Sequence, residues 1–356
     1  MKLGIIGLPQ SGKTTLFNAV TRGTVPTGAS TGKMEVHTAV VDVPDPRVDQ
    51  LAAIYKPKKT IYAKVTYADI AGLEGSTAKT GLSGTLLNQL TTMDGFIHVV
   101  RCFEDENVPH PAGSVNPARD IAAMDGELLL NDLIAVERKL ERLAEERKKG
   151  GGRDKATVDR EIGLFERFQA ALNEEKPLRD VPISVEEDKS LSSFGFLTRK
   201  PVLVVLNLAE GQAAPAITYP HQHARIAALQ GKLEMDLAQL PPEDQQAFLA
   251  EYGIEEPSLA RMIRLSYDLL GLQSFFTVGP DECRAWTVQR GALAPEAAGV
   301  IHTDLQKGFI RAEVMTYADL TALGSEKEVK AHGKFRLEGK EYLVQDGDIL
   351  NIRFAL

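Results

Sequence analysis

Residues 7–14 read GLPQSGKT and fit the pattern G-x-x-x-x-G-K-[ST], which is the strongest indication of the fold in this sequence. A short apolar run, KLGIIG (residues 2–7), predicts a strand before it, and LFNAVT (residues 16–21) predicts a helix after it. In that setting the glycines let the backbone wrap closely and direct its N–H groups at phosphate oxygens, at the positive end of the helix dipole. The stretch therefore predicts a phosphate-binding loop (P-loop) between a strand and a helix.

The side chains of this loop have separate predicted roles. Lys13 is the mobile cation for the β- and γ-phosphates of a nucleotide, and Thr14 offers its hydroxyl to Mg²⁺. We therefore count Lys13 as catalytic as well as nucleotide-binding. The loop does not by itself separate nucleotide hydrolases from small-molecule kinases, so the class depends on further elements. The predicted nucleotide-binding residues of the loop are Gln10, Ser11, Gly12, Lys13, Thr14 and Thr15.

A second element follows the apolar run VTYADI (residues 65–70), which predicts another strand. It ends in Asp69-Ile70-Ala71-Gly72, an acid at a strand end followed by glycine, as in the D-x-x-G element of nucleotide switches. We expect the Asp69 carboxylate to hold Mg²⁺ through water. We expect the N–H of Gly72 to sense the γ-phosphate and count Gly72 among the catalytic residues. The D-x-x-G pattern is common in sequences, so it indicates a nucleotide switch only because a P-loop precedes it.

A third strand, VVLN (residues 204–207), ends at Asn207, with Glu210 three residues later. Three motifs at the carboxyl ends of strands match the rule that open α/β sheets bind ligands at that edge. The sequence therefore favours a GTPase-like P-loop domain in which NLAE (residues 207–210) reads the base. The alternative, that NLAE only ends a strand and starts a turn, stays open.

The NLAE stretch predicts adenine rather than guanine. In ordinary GTPases an aspartate at this corner accepts two hydrogen bonds from guanine, and Glu210 is one methylene longer. Asn207 is able to pair with the N6 donor and N7 acceptor of adenine. Leu208 stands where a lysine stem usually lies and is expected to pack on the base. We therefore predict ATP binding, with GTP as the alternative.

Composition places the chain among ordinary globular proteins. At 356 residues it predicts two or three domains. Its two cysteines exclude a disulfide framework and a structural zinc site. The N-terminus carries no signal-peptide pattern and no apolar run is long enough for a membrane span, so we expect a cytoplasmic protein. The net charge of −8 argues against nonspecific coating of nucleic acid.

Residues 125–175 have a helical pattern. Five apolar positions repeat at spacings of 4, 3, 4 and 3, as in a coiled coil, and Gly150-Gly151-Gly152 then interrupts the helix. The pattern predicts a helical hairpin inserted into the nucleotide domain. Its tip, residues 138–160, has nine Lys/Arg and five Asp/Glu, which favours either an RNA or ribosome contact or a solvated helix face. The repeating positions are Leu129, Leu133, Val136, Leu140 and Leu143.

The C-terminal part alternates between short strands and helices. From Asp281 to the end it has ten Lys/Arg and twelve Asp/Glu, so charge alone predicts no nucleic-acid footprint. We interpret His302 as a structural residue at a helix start and Trp286 as a core residue.

Taken together, the chain resembles the YchF-type subfamily of Obg-like P-loop NTPases over nearly its whole length. The stretches that carry the resemblance are GLPQSGKTTLFNAVT, VPDPRVDQLAAIYKPKKT (residues 43–60), YADIAGL, IHVVRCFEDENVPHPAGSVNPARDI (residues 97–121), NLAE, RAWTVQRGALAPEAAGVIHTDLQKGFIRAEV (residues 284–314) and VQDGDILNIRF (residues 344–354).

The resemblance implies an α/β fold with three parts. These are a P-loop NTPase domain over residues 1–277, a coiled-coil hairpin inserted at residues 125–196, and a C-terminal β-grasp (TGS, ubiquitin-like) domain over residues 278–356. It implies a preference of N-x-x-E variants for ATP and a contact with the ribosome or RNA through the hairpin and the TGS domain. It also implies a catalytic role for the loop histidine, His110, which the residues alone leave balanced against a solvated loop histidine. We expect a monomer.

Four departures from the family pattern affect the predicted site. Gln10-Ser11 replaces Asn-Val in the P-loop, and EGSTAKTGLSG (residues 74–84) replaces a glycine-rich run. Thr31 is the nearest candidate for the threonine that completes Mg²⁺ coordination in the first switch. Gln230-Gly231 replaces Ser-Ala in the base loop, and we include Gln230 among the nucleotide-binding residues.

The sequence thus predicts slow Mg²⁺-dependent hydrolysis of ATP, because Leu73 stands where Ras-like proteins have a water-orienting glutamine. We expect the nucleotide state to order two loops, residues 24–37 and 71–84, and so to control partner binding. The alternatives are an Obg-type GTPase and a nucleotide-gated RNA- or ribosome-binding factor with incidental hydrolysis. A small-molecule kinase fits poorly, since no acceptor-binding lid is evident.

Overall fold

A computed structural model describes residues 1–25, 36–70, 82, 84–149, 153–191, 193–251 and 256–355. The chain divides into two compact units. The first unit comprises Met1–Ala39 and Thr66–Leu259, and the second comprises Val40–Val65 and Ala260–Leu356.

The first unit is built on a six-stranded sheet with the order β2-β4-β1-β5-β6-β7. Pairings of β1 with β4 and β5, of β5 with β6, and of β6 with β7 are parallel. The carboxyl ends of these strands therefore meet at one edge, which is where α/β sheets bind ligands. The strands are β1 (Lys2–Ile6), β2 (Val36–Asp42), β4 (Lys64–Ile70), β5 (Gly95–Arg101), β6 (Val202–Asn207) and β7 (Ala224–Leu229).

The central strands of this sheet are mostly apolar; their polar residues are His98 and Arg101 in β5 and Asn207 in β6. Every residue of β5 and β6 is buried, as expected for parallel strands that are packed on both faces. The helices of this unit are α1 (Lys13–Thr21), α3 (Gly84–Thr91), α4 (Pro117–Lys149), α5 (Lys155–Asn173), α6 (Val185–Ser190), α7 (Gly231–Gln239) and α8 (Pro242–Glu251), with a short 3₁₀ helix at Leu178–Asp180. Helix α9 (Ser258–Leu269) begins at the end of this unit and belongs mostly to the second.

The hairpin is formed by α4 and α5, and α4 begins at Pro117, before the predicted start of the helical pattern. Its apolar positions form a core cluster of their own, which includes four phenylalanines. Phe194 and Phe196 stack with ring centroids 5.4 Å apart, and Phe165 and Phe168 pack against them. The predicted coiled-coil seam is present, with Val136 and Leu143 buried and the other three positions partly buried.

The second unit contains a six-stranded sheet with the order β11-β10-β12-β8-β9-β3. Its strands are β3 (Lys59–Ile61), β8 (Leu272–Thr277), β9 (Glu282–Gln289), β10 (Phe309–Thr316), β11 (Arg336–Glu338) and β12 (Asp348–Phe354). Its helices are α2 (Pro46–Tyr55), α10 (Ala294–Ile301), α11 (Thr303–Lys307), α12 (Tyr317–Leu323) and α13 (Glu326–Ala331).

Residues 40–65, from the end of β2 to the start of β4, belong to this second unit although the strands on either side belong mainly to the first. Strand β3 pairs in parallel with β9. Leu51 of α2 is buried, and its carbonyl oxygen accepts a hydrogen bond from the Cys283 thiol. The domain boundary that we expect between residues 277 and 278 stays a prediction. The second compact unit is larger than the predicted C-terminal domain, because it begins at Ala260 and also includes residues 40–65.

Within the described residues, no helix combines the length and the apolar character that crossing a membrane requires.

Candidate nucleotide-binding site

The P-loop runs from the end of β1 to the start of α1, as the sequence predicted. Its glycines are required by close approach and by backbone conformation. A Cβ on Gly7 would lie 2.4 Å from the carbonyl oxygen of Val99, and Gly12 has a φ of 96°. Gln10, with a φ of 61°, also takes up a left-handed conformation. The loop is thus a tight turn at the sheet edge, with α1 starting directly at Lys13.

Lys13 lies over its own loop. Its Nζ donates to the carbonyl oxygens of Gly7 at 3.0 Å and Leu8 at 2.9 Å. These contacts hold the ammonium group at the mouth of the turn, where a phosphate would bring a stronger acceptor than a neutral carbonyl.

Thr14 and Asp69 form the second part of the site. The Thr14 hydroxyl donates to Oδ2 of Asp69 at 2.9 Å, which joins the start of α1 to the end of β4. Asp69 is 4% exposed, and its Oδ1 has no hydrogen-bond partner within the described part of the chain. Burial raises the pKa of this carboxyl group, while the Thr14 hydroxyl and Lys13 act in the opposite direction.

This pair fits a magnesium ion. Hydroxyl and carboxylate oxygens are ligands that Mg²⁺ prefers, and a buried carboxylate oxygen without a partner is costly unless a cation satisfies it. Thr31 and Gly72, the other residues predicted around the metal and the γ-phosphate, lie outside the described residues, as does Leu73.

Asn207 is a structural tie in the described geometry. Its Nδ2 donates to the carbonyl oxygen of Ser11 at 3.0 Å, and its Oδ1 accepts the N–H of Gly231 at 3.0 Å. The side chain is buried, so both ends of its amide are used to join the P-loop to the start of α7. Its expected pairing with adenine would require these bonds to be exchanged.

The tie also explains two glycines. A Cβ on Gly12 would lie 2.2 Å from Nδ2 of Asn207, and a Cβ on Gly231 would lie 2.7 Å from its Oδ1. A side chain at position 231 would therefore require the Asn207 amide to shift from the position it has here.

The remaining base-loop residues differ in what they offer a ligand. Leu208 is buried in the apolar cluster of the first unit, so it packs into the protein core rather than standing free for a base. Glu210 is exposed, and Gln230 is half-buried immediately before α7. Sequence reasoning missed Gln212, which accepts the N–H of Ala209 at 2.8 Å and donates to the carbonyl oxygen of Cys102 at 2.7 Å. Gln212 thereby fixes the turn that carries Glu210.

His110 lies in the loop after β5 and is buried rather than solvated. Its Nε2 contacts Oδ2 of Asp120 at 2.9 Å, and its Nδ1 accepts the N–H of Ala112 at 3.1 Å. Asp120 is a second residue that sequence reasoning missed, although it lies one position before the end of the quoted stretch that contains His110 (residues 97–121).

Comparison with known proteins sets this site in a family. The "Ribosome-binding ATPase YchF" of Escherichia coli O157:H7 is 41% identical in an alignment 363 positions long, which covers 99% of both chains. The chain belongs to the YchF family. The protein of the same name from Bacillus subtilis is 39% identical, over 99% of this chain and 98% of that one. "Obg-like ATPase 1" from Oryza sativa subsp. japonica is 38% identical, over 99% of this chain and 92% of that one.

Domain and structure comparisons agree with membership of the YchF family. A family model described as "50S ribosome-binding GTPase" matches residues 2–139. The YchF-GTPase_C model, described as a protein of unknown function, matches residues 272–355. The solved structure of the Schizosaccharomyces pombe YchF GTPase superposes with a TM-score of 0.84 at 31% identity, covering 99% of this chain and 97% of that one. The predicted resemblance and the predicted P-loop fold class are confirmed.

Proposed function

We propose that this YchF-family protein hydrolyses ATP to ADP and phosphate with the help of Mg²⁺, in the cytoplasm, and that its nucleotide state controls a partner. The observation that carries the proposal is the cluster at the sheet edge, where Lys13, Thr14 and Asp69 lie together in the P-loop setting. The printed names of the bacterial and plant relatives, which call those proteins ATPases, support it.

Each residue has a role that follows from its chemistry. Thr14 and Asp69 would hold Mg²⁺, with Thr31 as the proposed third residue; when bound, the ion neutralises charge on the β- and γ-phosphates. Lys13 would exchange its two carbonyl acceptors for phosphate oxygens. The backbone N–H groups of residues 10–15, including that of Thr15, would bind the phosphates, and Gly72 would respond to the γ-phosphate.

Base recognition is proposed for Glu210 and Gln230. Since Asn207 is engaged by Ser11 and Gly231, its contribution is to fix the corner in which the base binds. Gln230 has a side-chain amide that is able to accept from the N6–H of adenine and to donate to N1. Leu208 supports the corner from the core side.

Hydrolysis requires a group that orients water, and we propose His110 for this role. The position of His110 in a buried loop beside Asp120 supports a specific function more than a solvated loop residue would. Turnover is expected to be slow, since the ring is engaged at both nitrogens.

The test is calorimetric titration with ATP and GTP in the presence of Mg²⁺, together with measurement of phosphate release. We expect tighter binding of ATP, phosphate release without any added acceptor, and loss of both binding and release in Lys13→Ala. A tenfold preference for GTP, about 1.4 kcal/mol, would instead support the Obg-type GTPase. Phosphate release only on addition of an acceptor would support a kinase.

A second proposed function is ribosome binding through the hairpin and the C-terminal unit by a monomer. Part of the positive charge of the hairpin is neutralised within the hairpin itself. Four of its basic side chains form ion pairs with its acidic side chains: Lys139, Arg147, Lys149 and Arg153. Among the described residues, five exposed side chains at the tip form no ion pair and are the ones that would meet phosphate: Arg138, Arg142, Lys148, Lys155 and Arg160.

Co-sedimentation with ribosomes tests whether nucleotide gates this contact. Loss of co-sedimentation in Lys13→Ala would support gating, whereas unchanged association would show that the appended elements bind regardless of nucleotide. The second result would favour the binding factor with incidental hydrolysis.

A further inference from the structure

Both ring nitrogens of His110 contact other groups of the protein. The His110 side chain is 3% exposed and that of Asp120 is 5% exposed, so water competes little with their contact. Oδ2 of Asp120 lies 2.9 Å from Nε2, and the backbone N–H of Ala112 points at Nδ1 from 3.1 Å. Both ring nitrogens are therefore occupied by partners from the protein itself.

The partners assign the tautomer. A backbone N–H only donates, so Nδ1 must be the acceptor and carries no proton. The proton of the neutral ring then sits on Nε2 and is donated to the Asp120 carboxylate. In this arrangement neither nitrogen is free to accept a proton from water or to orient it. The ring is held in a form that is unable to act.

Asp120 is itself fixed from the helix side. Its Oδ1 accepts Nε of Arg119 at 2.9 Å, and Nη2 of Arg119 donates to the carbonyl oxygen of Ser114 at 2.7 Å. Arg119 thus fixes the Asp120 carboxylate at the start of α4, with Oδ2 directed at His110.

The loop before His110 is anchored separately. Arg101, fully buried at the end of β5, donates from Nη2 to the carbonyl oxygen of Val108 at 2.7 Å and stacks over the Phe103 ring. The loop therefore has a fixed attachment two residues before the histidine. Breaking the contact with Asp120 would move the ring without releasing the whole loop.

We propose that Asp120 is a positioning residue that stores His110 in an inactive orientation, and that ATP hydrolysis requires this contact to break. The proposal rests on the role proposed above for His110. It assigns slow turnover to a specific hydrogen bond rather than to the lack of a catalytic group.

The kinetic test is Asp120→Asn in the full-length protein. Asparagine keeps the shape and an acceptor but loses the charge-assisted part of the bond, so we expect about a fivefold rise in kcat for ATP hydrolysis. The KM for ATP should not change, because Asp120 contacts His110 and not the P-loop. An unchanged or lower kcat in a variant with normal KM would overturn the proposal.

Two further variants show whether the effect passes through His110. Asp105→Asn removes the same charge from the loop that carries His110, where Asp105 accepts the N–H of Asn107, and should leave kcat unchanged. In a His110→Ala background, Asp120→Asn should have no effect on kcat. A rise in kcat that persists without His110 would contradict the mechanism.

A readout that does not need activity separates this proposal from the proposed function. Nitrogen-15 NMR of the wild-type His110 ring should show a protonated Nε2 and an unprotonated Nδ1. Hydrogen exchange of the Ala112 amide should accelerate in Asp120→Asn. If the wild-type ring has the opposite tautomer, the proposed role of Asp120 is wrong even where ATP hydrolysis is confirmed. If the ring has the expected tautomer but the protein does not hydrolyse ATP, the contact between His110 and Asp120 is confirmed and the proposed ATPase function is wrong.

Discussion

At the scale of single residues, the part of the site that is predicted to bind the base shows that the residue that marks a motif need not be the residue that contacts the base. Asn207 is the most recognisable residue of NLAE, yet its amide joins Ser11 to Gly231 across the sheet edge. Selectivity between purines must then depend on side chains whose polar atoms remain available. Gln230 directly precedes Gly231 in the chain, and among the described residues its side chain forms no hydrogen bond.

Gln230→Glu tests this assignment. A carboxylate is able to accept the N1–H and N2–H of guanine, but it meets the N1 lone pair of adenine. We therefore expect the ratio of ATP to GTP affinity to fall at least tenfold, measured by calorimetric titration with Mg²⁺. Gln222→Glu, in the exposed connection before β7, is the control for charge alone. An unchanged ratio would remove Gln230 from base reading.

At the scale of elements, the base of the hairpin is anchored by one buried carboxylate. Asp132 of α4 accepts the N–H groups of Leu197 at 2.8 Å and Thr198 at 2.7 Å, together with the Thr198 hydroxyl. Burial raises the pKa of Asp132 to about 6, although these hydrogen bonds act to lower it. The helical pattern of α4 predicted the hairpin but gave no sign of this anchor.

The raised pKa predicts a specific pH dependence of stability. The folded protein binds the Asp132 proton more tightly than the unfolded chain does, so this stabilisation is complete below the unfolded pKa of 3.8 and is lost as pH rises through about 6. The free energy of unfolding of the wild type relative to Asp132→Asn should therefore be larger at pH 5 than at pH 7. Denaturant unfolding followed by circular dichroism measures this difference.

A matched control on the same helix is Glu137→Gln, because Glu137 is exposed. Its stability relative to the wild type should be equal at both pH values. If Asp132→Asn gave an equal difference at pH 5 and pH 7, Asp132 would titrate normally and the burial argument would be wrong.

At the scale of the whole molecule, the two compact units do not follow the order of the chain. Residues 40–65 leave the P-loop part between β2 and β4 and supply α2 and β3 to the second unit. Within that unit, Arg47 of α2 pairs with Asp346 at 2.7 Å and lies over the Phe276 ring. The C-terminal sheet therefore depends on a helix that the sequence places among the nucleotide motifs.

Leu51→Ala tests this dependence. Leu51 is 1% exposed, so its truncation should destabilise the second unit by about 2–5 kcal/mol. Trp286 of β9 is the single tryptophan of the chain, and its fluorescence reports on this unit. The unfolding transition followed by Trp286 should move to lower denaturant concentration.

The control is Ile54→Ala on the same helix, where the side chain is 38% exposed and little stability should be lost. Should Leu51→Ala leave the Trp286 transition in place, α2 would not be part of the core of the second unit.

Sequence reasoning predicted the P-loop, the strand ends that carry Asp69 and Asn207, and the helical hairpin. These features depend on spacing along a short stretch of chain, where backbone conformation is set by near neighbours. The tertiary structure alone decided what Asn207 and His110 contact and which unit residues 40–65 join. Asn207 and Ser11 are 196 positions apart, and Leu51 and Cys283 are 232 apart. Such partners are chosen by the packing of strands and helices, which no local pattern records.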